Sequence, residues 1–206
     1  PSQAQYALRQ HHAAFRDFEA LLLNIEEKDF RRQPAPHEWP VNVVLQHVHE
    51  VERYFFGAIR NTLLNPQPQA LDDVEVAEMA GEPLEIPADL LFSGMWDGYA
   101  RLHAKVQREL QSLTNEQLEL HSPMWEPEPW PTVRFRLHRF ESHLREHSNQ
   151  IEKDLVLLDA KPNEARLLLR QMYAALAEVE GVCIGDGGQS AKACANIAKI
   201  IDQRLA

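Results

Sequence analysis

The chain has 206 residues, of which 44% are hydrophobic and 25% charged, values that suit one water-soluble globular domain with or without a small extension. A formal net charge of -10, with no stripe of Lys and Arg, argues against a nucleic-acid footprint and against docking on anionic lipid. No apolar run approaches the roughly 18 residues a membrane span needs, and no signal-peptide pattern opens the chain, so a cytoplasmic protein is expected.

Glycines number only 8, and Leu, Ala, Glu, Gln and Arg dominate, side chains that keep their rotamer freedom in a helix. The first predicted helix runs from Ser2 to about Asp29, with Leu8, Phe15, Phe18, Leu22 and Ile25 on one stripe. It ends before the run from Arg31 to Pro36. A second helix opens at Trp39-Pro40, with Pro40 at the first helical position, where a missing N–H costs nothing. Its stripe is Val44, Val48, Val51, Phe55 and Ile59, and it stops near Asn65-Pro66.

Residues 65–86 read as a proline-bearing acidic loop with one helical turn around Val74–Met79. A third helix is expected from about Pro87, carrying Leu91, Met95, Tyr99, Leu102, Val106 and Leu110. Thr114 to Gln117 has the form of a capping box. After a loop from Ser122 to Trp130, the fourth helix opens at Trp130-Pro131 and runs to about Leu158, on Val133, Leu137, Phe140, Leu144, Ile151 and Leu155.

Four long helices with one apolar stripe each bury those stripes most simply as an all-α four-helix bundle, here assigned to residues 1–160. Residues 161–206 read as a C-terminal extension of two helices, 163–180 and 190–205. The only cysteines, Cys183 and Cys194, fall in this extension; they could pair, but they do not make a disulfide framework.

Ten histidines leave spacing and register to discriminate among them. His143 and His147 lie four apart, about 40° around the same helix face. His147 takes a slot on the apolar stripe between Leu144 and Ile151, and His47 lies at the stripe of the second helix between Val44 and Val51. A buried imidazole needs a partner, and one shared metal would serve all three. Core histidines bonded to backbone or carboxylates are the plainer alternative. His11, between Leu8 and Phe15, is the strongest rival ligand, and His103 flanks the third stripe. His138 is half a turn away from His147, and His12, His37, His49 and His121 read as loop or outer-face positions.

Trp39 before a helix bearing Leu45-Gln46-His47, a tryptophan-rich loop, and then the string from His143 to Ile151 (His-x3-His-x2-Gln-Ile) resembles the DinB/YfiT-like superfamily over about residues 3–158. The resemblance implies a bundle of the up-down-down-up type with one divalent metal, zinc or nickel, on His47, His143 and His147. It also implies chemistry of the thiol-cofactor-dependent transferase or isomerase kind, with a hydrolase as the broader option. The partners to test are then a small-molecule thiol, an electrophilic substrate and a second copy in a homodimer. Three imidazoles with an open fourth position suit a catalytic ion that binds water or a thiol. Glu50 and Gln150, each three residues beyond a ligand, could contact it from behind, although a solvated or structural role is the plainer account of each.

The competing reading is a non-enzymatic interaction or ligand-binding module whose metal is structural or absent. A di-iron bundle fails, because neither Glu141 nor Glu146 is followed at +3 by histidine. The stretch Gly185 to Ser190 could cradle an anion, but a loop with Ser190 as N-cap is the simpler account.

Overall fold

The computed structural model describes residues 1–87, 89–124, 131–160, 162–185 and 192. In chain order the helices are α1 (Gln3–Leu22), α2 (Glu27–Arg31), α3 (Val41–Leu64), α4 (Asp73–Ala80), α5 (Phe92–Leu110), α6 (Asn115–Leu118), α7 (Val133–Leu157) and α8 (Glu164–Cys183). The bundle expected from the apolar stripes is present. Helix α1 packs against α5 and α7, and α3 against the same two, so α1 and α3 face each other across the diagonal.

Side-chain pairs give the directions. His11 meets His103 while Phe15 meets Trp96, so α1 and α5 are antiparallel. His47 meets His143 while Phe55 meets Phe140, so α3 and α7 are antiparallel too. Glu52 bonds to Tyr99 and Arg60 to Glu109, so α3 and α5 run parallel, as the up-down-down-up order requires.

The core fills from these stripes: Leu8, Phe18, Val44, Val48, Phe55, Ile59, Tyr99, Leu102, Val106, Leu137, Phe140, Leu144 and Ile151 are all buried. Parallel α3 and α5 demand a long return, and α4 sits in it. Asp72 caps α4 in a capping box, and Gly81 closes it in the left-handed region at φ 63°. Helix α4 lies so close to α3 that a Cβ on Gly57 would stand 2.9 Å from the carbonyl oxygen of Val76. Buried Arg53 donates to the carbonyls of Pro83 and Leu84, fixing the segment that leads into α5.

Several boundaries depart from the sequence reading. Helix α1 stops at Leu22, because Asn24 adopts φ 57° and turns the chain into the separate α2; no Pro or Gly marks that break. Pro40 is the N-cap of α3, not its first residue: at ψ 154° it is still extended, and its carbonyl accepts from Val43 and Val44. Helix α5 begins at Phe92, five residues later than expected from Pro87, and Leu91 is an exposed N-cap with no place in the core. Thr132, whose side chain accepts from the Phe135 N–H, caps α7. The expected Trp130 start, the second tail helix at 190–205, Cys194 and the stretch 186–190 lie outside the described residues.

Helix α8 lies along α1. Arg170 grips Asp17 with two bonds, 2.5 and 2.8 Å, and also pairs with Glu152 of α7. Arg16 does the same to Glu180, at 2.7 and 2.5 Å. Gly181 rests against the Arg9 side chain. Among the described residues no helix is long and apolar enough to cross a membrane.

Candidate metal centre

Antiparallel packing of α3 on α7 brings His47 across to the one-turn pair His143 and His147. The three imidazoles offer ring nitrogens that all lie within 4.8 Å of one another. Nε2 of His143 is 3.2 Å from Nε2 of His47 and 3.1 Å from Nε2 of His147. A tetrahedral ion with metal–nitrogen bonds of about 2.0–2.1 Å spaces its ligand atoms about 3.4 Å apart, and the two edges that meet at His143 are within a few tenths of an ångström of that spacing.

The protonation pattern favours a cation between the rings. Nδ1 of His147 lies 2.8 Å from Oε1 of Gln150, an acceptor, so Nδ1 carries the proton and Nε2 presents a lone pair to its neighbours. Three Nε2 atoms converge, and one proton shared between two of them leaves the third facing lone pairs. Burial, then the neighbouring His147 and His47, push His143 down to about 3. Burial and His147 also lower His47. His143 and His47 therefore remain able to donate electron pairs at neutral pH.

His143 and His147 are buried, while His47 is half-buried at the side of the bundle, with the partly exposed Trp39 edge-on to its ring at 5.3 Å. Phe55 stands edge-on to His143 from the core side. The set is therefore dry behind and open in front, as a site with one exchangeable position requires.

Other sequence candidates are placed elsewhere. Gln150 holds His147 from behind, whereas Glu50 is engaged by Gln46 at 2.9 Å. His138 is exposed. His11 does not join the cluster; it lies fully buried in a second group with Glu52, Tyr99 and His103. Two positions read as outer-face are not. His49 is buried against Tyr99, and burial pushes it down to about 4; His12 is half-buried between His103 and Glu180. Glu52, deep in the core, escaped the sequence reading altogether, since a carboxylate next to Val51 looks like a solvated position.

The sequence pattern of the DinB superfamily matches residues 10–151, a span that takes in every residue of both histidine groups. The chain belongs to the DinB superfamily. No curated protein and no solved structure matches the chain. In this DinB protein the match ends within α7, so α8 and the extension beyond it lie outside the shared part.

Proposed function

We propose that this DinB protein binds one divalent ion, zinc or nickel, through His47, His143 and His147, and uses it in thiol-dependent chemistry. The observation that carries the reading is the convergence of three Nε2 atoms, one of them held as a lone-pair donor by Gln150. A bound ion there would supply Lewis acidity and keep a coordinated thiol as its thiolate. The chain's own residues do the rest: Gln150 orients His147, Phe55 and the core keep water from the back of the rings, and Trp39 borders the open side. A small-molecule thiol and an electrophilic acceptor are the partners of such a transferase or isomerase, and a homodimer is its proposed assembly.

The test is metal content followed by chemistry. Tag-free protein should reload with zinc or nickel, and the loaded protein should accelerate attack of at least one low-molecular-weight thiol on an electrophile. Loss of metal without loss of thiol chemistry would sink the assignment. A second reading, the interaction module, is favoured by α8, where Leu168, Met172, Val179 and Val182 are each more than half exposed. Chelation separates the two: an exchangeable catalytic ion leaves the fold intact, whereas a structural one takes the fold with it.

A further inference from the structure

The second buried histidine group contains a contradiction that an ion would resolve. Glu180 of α8 is a carboxylate, gripped by Arg16, and its Oε2 lies 2.8 Å from Nε2 of His12. A carboxylate only accepts, so Nε2 of His12 carries the proton and Nδ1 of the neutral ring is an acceptor. That Nδ1 is 3.1 Å from Nε2 of His103, which must therefore donate. The neutral His103 ring is left with a lone pair on Nδ1, and Nδ1 points at Oε1 of Glu52, 3.6 Å away.

Two electron-rich atoms thus face each other in the core. Neither has a hydrogen-bond partner among the described residues, and both residues are nine-tenths buried or more. The other oxygen, Oε2, is served by Tyr99 at 2.8 Å and by Nε2 of His11 at 3.2 Å. A buried carboxylate without a compensating cation is strongly disfavoured, and a gap of 3.6 Å between a nitrogen and an oxygen is close to the roughly 3.4 Å edge of a tetrahedral metal site.

We propose that His11, Glu52 and His103 form a second, buried metal site for a divalent transition-metal ion, separate from the His47 set. Two histidines and one carboxylate are a donor set that zinc and similar ions accept. His11 joins through Nε2 once its proton moves to Nδ1. Gln107, whose amide nitrogen lies 3.3 Å from that Nδ1 and donates to the Leu8 carbonyl at 3.1 Å, holds a buried Oε1 with no partner among the described residues; it accepts from Nδ1 only by rotating its amide and giving up the Leu8 bond. The way in is a groove of about 500 Å³ between α1, α5 and α8, lined by His12, Phe15, His103, Gln107 and Glu180. Glu180 lies beyond the DinB match, so the tail helix itself sets the tautomer that readies the site.

Elemental analysis and cobalt(II) spectra of the tag-free full chain, stripped and reloaded with zinc or cobalt(II), decide it. Two equivalents per chain are expected. The His143→Ala, His147→Ala double variant should keep one, with visible cobalt(II) bands that disappear on adding Glu52→Gln. Because Glu52→Gln disturbs the core, Glu180→Gln at the surface serves as the second variant: it frees the His12 tautomer and should weaken the second equivalent roughly 10-fold while the first keeps its affinity. One equivalent in the parent, lost entirely in the double variant while its helical spectrum persists, overturns the second site, a proton on the histidines then balancing Glu52. Two equivalents that both ignore Glu52→Gln and Glu180→Gln overturn it as well.

Discussion

Oε1 of Gln150 stands 2.8 Å from Nδ1 of His147, three residues back along the same helix. The contact makes one turn of α7 both ligand and ligand support, so the tautomer of His147 is set before any ion arrives. Gln150→Ala should therefore weaken metal affinity about 10-fold or more while leaving the fold in place. Competition with a chelator of known affinity measures it, and an unchanged affinity would show that the ring needs no such support.

Alanine at His47, His143 or His147 should each abolish tight binding of one ion, and His138→Ala should not. His49→Ala is the sharper control. Its ring is buried against Tyr99, so its loss should cost roughly 1–3 kcal/mol of stability with the metal of the His47 set retained. Metal loss in that variant, at intact fold, would move the site.

Stability of the metal-free protein should fall in acid. His143 and His103 sit at about 3 and His49 at about 4, all depressed by burial from an unfolded value near ~6.5. Below that pH the unfolded chain takes up protons the folded chain refuses, so stability is full above about 6.5 and drains as pH drops toward about 3. Glu52, which burial would raise but the neighbouring His11 holds below the usual carboxylate range, adds to the loss under about 4.5. Urea midpoints at descending pH on chelated protein measure this, and a flat or rising series contradicts it. Metal release follows the same direction, whereas a carboxylate site would hold its ion until about pH 4.

Asp154 has the opposite sign. It is wholly buried in the last turn of α7, neither oxygen has a hydrogen-bond partner among the described residues, and burial raises it to about 6. An anion at a helix C-terminus is also disfavoured by the helix dipole. Asp154→Asn should stabilise the protein at pH 8 by roughly 0.5–2 kcal/mol, and the gain should shrink as pH falls through 6. A destabilised Asn variant at pH 8 would mean that the carboxylate has a partner.

Arg170→Ala should loosen α8 without touching the bundle. It removes the double bond to Asp17 and the contact to Glu152, partly exposed pairs worth at most about 1 kcal/mol each. Faster hydrogen exchange confined to 164–183, with the rest unchanged, is the expected pattern. Exchange that rises throughout the bundle would show that α8 is integral to it.

The bundle and its three histidines were legible because they obey helical periodicity. His147 occupies a stripe slot, His143 is one turn before it, and both remain on the apolar face in the fold. Helix α3 was only half legible. Its sequence shows a single apolar stripe, yet α4 and α5 cover further faces, and Leu45, His49, Glu52, Arg53 and Phe56 are buried as well. Polar residues on those faces resemble solvent-facing ones until the covering helix is known. The break at Asn24 was hidden for another reason: a single left-handed residue ended α1 where the apolar spacing continued to Ile25.

The 96 positions between His47 and His143 also dictate when the site can exist. During synthesis α3 emerges long before α7; it can pack on α4 and α5 at once, but the face that meets α7 stays bare until α7 is made. Closure of this fold rests on distant pairs, α1 with α7 above all, which slows folding and leaves apolar stripes bare meanwhile. The three-histidine set therefore exists only once α7 has docked on α3, and capture of an ion by all three rings belongs to that late step.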